Sequence, residues 1–326
     1  MKDMSENKGV WVYSENKDAA IKMLIMGREL ANRFKTKLTC LLIGNNTKSQ
    51  ADELINFGAD EVIVAQHSQL SSYQAEAYLG IVTELAKKYM PDIILVGSTR
   101  RGKELAARLA TRLNVGCIPN CSSVNVDSQG RFVTERVVYG GNASAIQTFL
   151  VKPQIACVIV GSSERPLPQG NTGSVIVEKI RDIEAHKTEI VETRLIETAA
   201  TKIEDASVVI VGGRGVEKKE DFRLLEELAE VLGGKMSYTR PIAEDRKWFK
   251  GNWVGLSGRT VKPELYIGCG NAGVIQHIAG IRDSKIIVAI NKNPEAPINE
   301  IADYIVTGDL YQIVPALIAA VKKLRS

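Results

Sequence analysis

Histidine is scarce in this 326-residue sequence, which has only His67, His186 and His277, and cysteine is limited to Cys40, Cys117, Cys121, Cys157 and Cys269. Three residues separate Cys117 from Cys121, not the two of a zinc knuckle or redox dithiol, so no metal-ligand set of recognised spacing assembles. The odd cysteine count, with mostly apolar neighbours, fits reduced structural thiols in a cytoplasmic protein and not a disulfide framework. Long apolar runs are missing too: nothing approaches the roughly 18 residues of a membrane span. The first residues, Met1-Lys2-Asp3-Met4-Ser5-Glu6, carry no apolar core and are not read as a signal peptide. Neither sign of charge dominates, since 42 Lys+Arg against 38 Asp+Glu leave +4. From residue 201 onward there are 18 basic and 16 acidic residues, leaving 24 and 22 before it, so neither half is a charged arm. The basic footprint of a nucleic-acid-binding protein is therefore absent.

What remains is an ordinary globular composition, 44% hydrophobic and 25% charged, at a length that favours two domains. Strand patterns over 9–13, 38–44, 61–64 and 92–97 alternate with helical ones over 18–34, 51–57, 73–89 and 102–113. The runs at 38–44 and 92–97 are continuously apolar, as strands covered on both faces are. This alternation predicts a parallel, doubly covered sheet. Strands then follow without helices between them, over 122–127, 131–139, 143–149 and 154–160. Residues 161–173 are rich in Gly, Pro and Ser and read as a linker. Residues 174–201 read as an exposed strand pair or a connector. A second α/β pattern begins at Ala206, with strands at 207–211, 264–268 and 285–290 and helices at 219–232, 274–281 and 310–324. The fold class is thus α/β with two α/β domains, 1–200 and 201–326.

Two glycine clusters directly follow strands of the second pattern, where open α/β sheets place ligands. In Gly212-Gly213-Arg214-Gly215 the glycines allow close backbone approach. Free N–H groups at a helix start would attract phosphate, and Arg214 would add a guanidinium. The second cluster, Gly268-Cys269-Gly270-Asn271-Ala272-Gly273, is a literal G-x-G-x-x-G. The acid of a nicotinamide-dinucleotide site is missing, because the next strand ends in Asn291-Lys292. Between the clusters, Thr239-Arg240-Pro241 and Trp253-Val254-Gly255-Leu256-Ser257-Gly258 form a loop suited to a polar, flat ligand. Trp248 and Trp253 are read as packing side chains. Arg100-Arg101 suits either a phosphate site or a solvated helix start.

These residues resemble the alpha (large) subunit family of electron transfer flavoproteins. The resemblance runs through nearly everything after Ala206. It is densest in Pro263-Glu264-Leu265-Tyr266-Ile267, in 273–280, in 290–298 and in Ala302-Asp303-Tyr304. The first half agrees in layout, with Gly97-Ser98-Thr99-Arg100-Arg101-Gly102-Lys103-Glu104 resembling the family's loop there. The resemblance implies a nucleotide-hydrolase-like first domain contacting a beta subunit and a Rossmann-like second domain binding FAD. It places Arg214 at the pyrophosphate and Thr239 and Arg240 beside the isoalloxazine. Val254, Gly255, Leu256 and Ser257 match a loop whose hydroxyl approaches flavin N5. Ala272, Gly273, Val274, Ile275, Gln276 and His277 match a turn whose histidine hydrogen-bonds the pyrimidine end. Asn291 falls on an FAD-binding asparagine, and Asp309 and Leu310 on the pair near the adenosine. Leu256-Ser257 departs from the Gln-Thr of many relatives, which bears on the flavin potential.

By resemblance, then, the chain is an electron carrier, one subunit of a heterodimer serving acyl-CoA dehydrogenases or similar flavoproteins. Arg240 and His277 would favour the anionic forms of the flavin. An electron-bifurcating version, whose beta subunit carries another FAD, stays open. So does a pyridine-nucleotide enzyme, deoxyhypusine-synthase-like or transhydrogenase-like, using the same glycines.

Overall fold

The computed structural model describes residues 8–45, 47–141, 143–160, 167–168, 170–180, 190–193, 203–251 and 253–325. Most of the expected linker, the stretch from 181 to 201 except 190–193, and His186 lie outside the described residues. The chain divides into two compact units, Met1–Glu192 and Thr193–Ser326. Among the described residues no helix is long and apolar enough to cross a membrane.

The first unit alternates β1 (Val10–Tyr13), α1 (Lys17–Phe34), β2 (Leu38–Gly44), α2 (Ala51–Asn56), β3 (Glu61–Gln66), α3 (Ala75–Tyr89), β4 (Ile93–Gly97) and α4 (Arg100–Leu113). It continues through β5 (Cys117–Cys121), β6 (Ser123–Val126), β7 (Phe132–Val138), β8 (Ala143–Thr148), β9 (Gln154–Val158) and β10 (Ser174–Lys179). Local chemistry sets the helix ends. Asn16 caps α1 by accepting from the Ala19 N–H at 3.1 Å, and Thr99 caps α4 by accepting from the Gly102 N–H at 2.9 Å. Seven parallel strands form one sheet in the order β10-β3-β2-β1-β4-β9-β5, with a buried apolar cluster on each face. Among the described residues, β6, β7 and β8 alone pair antiparallel, as a separate small sheet. β9, last of the four strands that follow one another without helices, joins the large sheet beside β4. Of the stretch read as an exposed strand pair or a connector, β10 is a parallel edge strand on β3, and most of the rest lies outside the described residues. Sequence patterning missed β5 because Pro119 and the left-handed Asn120 interrupt it, which only an edge strand tolerates.

The second unit runs β11 (Val208–Gly212), α5 (Phe222–Leu232), β12 (Lys235–Tyr238), α6 (Arg240–Glu244), β13 (Leu265–Cys269), α7 (Ile275–Ile278), β14 (Ile286–Asn291), β15 (Tyr304–Thr307) and α8 (Leu310–Arg325). Its five strands are all parallel, in the order β12-β11-β13-β14-β15. Phe222, Leu225 and Leu228 of α5 pack with Leu310, Val314 and Ile318 of α8 on one face. Val254, Val261, Ile281 and Ile298 close the other. The helix expected over 274–281 shrinks to the four residues of α7. Gly280 lies against the backbone of Gly255, too close for a side chain, and the chain passes into turns there.

Candidate functional site

β11 and β13 are neighbours, and the chain leaves them towards opposite edges of the sheet, to β12 and to β14. Such a switch of direction opens a crevice at the carboxyl ends of the two strands. Both glycine turns lie there, and they are bound to each other. Gly213 N–H donates to the Cys269 carbonyl at 2.9 Å and Gly215 N–H to the Gly270 carbonyl at 3.0 Å. A Cβ on Gly215 would stand 2.7 Å from the Gly270 Cα, and Gly270 itself has φ 66°. This corrects the reading of the first cluster as a phosphate cradle of free amides. Its glycines permit two turns to touch, and α5 begins only at Phe222, after a 3-10 turn over Lys219–Asp221. The exposed Arg214 is the anion-seeking group that remains.

A cleft of about 420 Å³ opens beside these turns. It is lined by Arg214, Thr239, Arg240, Val254, Gly255, Leu256, Ser257, Ala272, Gly273, Val274, Gln276 and His277 among the sequence-derived candidates. A second cleft of about 350 Å³ is lined by Arg214 and Ala272 again, with Asn291 and Leu310. Both volumes lie in the range of small-molecule sites. Ile275 and Asp309 line neither. Ile275 is 57% exposed at the start of α7. Asp309 accepts from the Tyr311 N–H at 3.0 Å and pairs with Lys292 at 3.2 Å, and these contacts, the backbone one first, hold its carboxyl below its ordinary range. Asn291 has both ends of its amide engaged, donating to the Asn271 carbonyl at 2.7 Å and accepting from the Asn293 N–H at 2.9 Å.

His277 departs most from its expected part. Its ring is 5% exposed, and Nδ1 lies 3.1 Å from the Val254 carbonyl while Nε2 lies 2.7 Å from the Tyr266 hydroxyl. A carbonyl only accepts, so Nδ1 carries the proton and Nε2 accepts from Tyr266. The Tyr266 oxygen in turn accepts from the Asn271 side-chain amide at 2.8 Å. Burial pushes the imidazole down to about 4, against a partial opposing effect from the Val254 carbonyl. The ring is therefore neutral at physiological pH with both nitrogens spent inside the fold. It offers the cleft neither a positive charge nor a free donor, and acts on it through Val254.

Arg240 and Ser257 both line the first cleft. Arg240 opens α6 and its guanidinium Nε meets the Glu244 carboxylate at 2.5 Å, with the side chain 57% exposed. Glu244, one helical turn on, also lines the cleft and tempers that cation. Ser257 Oγ accepts from the Trp253 indole N–H at 3.3 Å, which leaves its own proton to give. Trp253 packs against the core of the second unit, as its sequence reading has it, and also lines the cleft, as do Asn271, Pro241 and Asp245. The i,i+4 spacing from Arg240 was a visible signal for Glu244, and the x position in the glycine pattern was one for Asn271. Asn271 is 1% exposed and its Oδ1 has no partner. The residues present suit a dinucleotide such as FAD on one observation: Arg214 borders both clefts, so its guanidinium is available to a pyrophosphate.

Comparisons with known proteins agree over the full chain. The electron transfer flavoprotein domain family matches residues 10–185, and the electron transfer flavoprotein FAD-binding domain family matches residues 202–282. The chain is 37% identical over 331 residues to the electron transfer flavoprotein subunit alpha of Thermoanaerobacterium thermosaccharolyticum, covering 99% of this chain and 100% of that one. It is 38% identical over 337 residues to Protein FixB of Clostridium saccharobutylicum, covering 99% of each. It is also 33% identical to the lactate dehydrogenase (NAD(+),ferredoxin) subunit LctC of Acetobacterium woodii, covering 98% of this chain and 78% of that one. The two-unit α/β architecture, the crevice at the strand switch and these full-length similarities together place the chain in the electron transfer flavoprotein alpha-subunit family.

Proposed function

We propose that the two clefts hold FAD, the isoalloxazine in the first and the adenosine in the second. In this reading the chain is the FAD-carrying subunit of a heterodimer passing electrons between flavoprotein dehydrogenases, such as an acyl-CoA dehydrogenase, and an acceptor. Residues 1–200 form the domain that contacts the beta subunit, and residues 201–326 form the FAD domain, with the whole in the cytoplasm. Bound FAD supplies the capacity to take up and release electrons, which no side chain of this chain provides. The single observation that carries the reading is Arg214 shared between the two clefts, the first of which Arg240 also lines.

The residues around the cleft then bind and tune. Arg214 neutralises the pyrophosphate. Arg240 favours negative charge on the ring, to the extent that Glu244 leaves its own charge uncompensated. Ser257, exposed at the cleft, accepts from the Trp253 indole and keeps a hydroxyl proton to donate. Neutral His277 holds the Val254 carbonyl and so fixes the loop that carries Gly255, Leu256 and Ser257. Asn291 ties the end of β14 to the glycine turn, and Asp309 and Leu310 set the start of α8 at the adenosine end.

Titration of the purified full chain with FAD and with NAD, followed by flavin fluorescence and absorbance, tests the proposal. Stoichiometric FAD binding with a yellow product is expected. A colourless protein that binds NAD and ignores FAD would overturn it in favour of a pyridine-nucleotide enzyme. A second reading, electron bifurcation, draws on the Acetobacterium relative, whose name carries both NAD(+) and ferredoxin. Identifying AMP or a second FAD in the co-purified beta subunit separates the two.

A further inference from the structure

Arg246 touches neither cleft, yet it makes three contacts to one turn. Its Nη1 donates to the Val216 carbonyl at 2.5 Å and reaches the Glu217 carbonyl at 3.4 Å, while Nη2 donates to the Arg214 carbonyl at 3.2 Å. Five N–H donors in a rigid plane allow one arginine to span carbonyls on both sides of a bend, which an ammonium cannot do. The guanidinium is backed by the Trp248 ring, 4.5 Å from its centroid, and Trp248 meets Phe222 edge-on at 6.2 Å. Phe222 is 1% exposed in the core of the second unit, so the clamp is backed by side chains that reach that core.

The backbone is bent to make this possible. Lys247, between Arg246 and Trp248, has φ 53°, a left-handed conformation that an L-residue with a long side chain adopts at a cost. It brings the side chains on either side of it onto one another. The strain is held by Arg246 N–H to the Pro241 carbonyl at 3.1 Å and Trp248 N–H to the Ile242 carbonyl at 3.2 Å. Those two carbonyls belong to α6, the helix that begins with Arg240. Arg246 thus joins the helix carrying one cation of the cleft to the turn carrying the other.

We infer that Arg246 is a positioning residue that sets the spacing between Arg214 and Arg240, and so selects a ligand bearing a phosphate at a fixed reach from a flat ring. The inference rests on the FAD reading above. A ring without phosphate uses the Arg240 end alone and gains nothing from the spacing, whereas FAD uses both.

The test is a fluorescence titration of the full chain with FAD and with riboflavin, for the parent, Arg246→Met and Arg246→Lys. Methionine keeps an apolar stem on Trp248 and removes the fork. The expected result is a rise of tenfold or more in the FAD dissociation constant for Arg246→Met, with the riboflavin constant within twofold of the parent. Arg246→Lys, whose ammonium satisfies one carbonyl, falls between and carries the test should the methionine variant not fold. Equal loss of both flavins, an FAD constant unchanged in a folded variant, or full recovery with lysine would overturn the inference while leaving the FAD reading standing. A parent that binds neither flavin overturns the FAD reading itself, and the inference with it.

Discussion

Arg240 and Glu244 are a pair whose two members pull the proposed cofactor in opposite directions. Because the Arg240 side chain is 57% exposed, water screens it and the effect of its charge is moderate. Arg240→Ala is expected to disfavour the anionic flavin by roughly tenfold, about 59 mV for a one-electron step, and Glu244→Gln to shift the potential the other way. Redox titration of both variants checks this, and an unchanged potential in Arg240→Ala would remove the residue from its assigned part. His277 makes a different prediction, about stability. Its folded pKa of about 4 lies below the usual 6.5, so the unfolded chain binds the extra proton between those values. Stability therefore rises with pH across that window and is lost as pH falls from about 6.5 towards 4, by roughly 3 kcal/mol in all. Urea unfolding at pH 7 and pH 5 should show a steeper loss for the parent than for His277→Gln. Identical losses would mean that another group carries the dependence.

Elements explain what single residues cannot, and the two glycine turns are the case in point. Gly233 and Gly270 both sit in the left-handed region, at φ 71° and φ 66°. Gly233 ends α5 with nothing near its absent Cβ, while Gly270 has Gly215 Cα 2.7 Å from where a Cβ would be. Gly233→Ala is expected to cost about 1 kcal/mol, the backbone strain alone. For Gly270→Ala, forcing the turns apart adds to the same strain, giving about 3 kcal/mol together with loss of flavin binding. Chemical denaturation of the pair decides: similar costs would mean that the contact between the turns is slack. The same elements show why part of the site was legible and part was not. Spacing in the sequence located the glycines, Arg214 and Arg240, because each follows directly on a strand or opens a helix. It assigned the glycine amides to a ligand because nothing local reveals that Gly213 and Gly215 donate to residues more than fifty positions away.

At the scale of the whole molecule, each unit has its own sheet and its own buried clusters. Calorimetry of the full chain is expected to resolve two transitions. FAD at a hundredfold excess over its dissociation constant should stabilise one of them by about 2.7 kcal/mol and leave the other in place. A single transition that moves as a whole on adding FAD would show the units to be energetically one.

The alternation of apolar strands and amphipathic helices is written in local periodicity, and it determined the two α/β sheets and most of their elements without help. Local pattern also set the second glycine cluster apart from the usual dinucleotide fingerprint, because β14 ends in Asn291-Lys292 and not in an acid. Tertiary structure alone decided the rest. It drew β9 and β10 into the large sheet, since strand pairing depends on hydrogen bonds to distant segments. It turned His277 inward as a neutral ring, because burial and the Tyr266 and Val254 contacts outweigh its charged form. And it set Arg246, in a stretch with no motif, against three carbonyls of the Arg214 turn, a relation that exists only when α6 and that turn fold against each other.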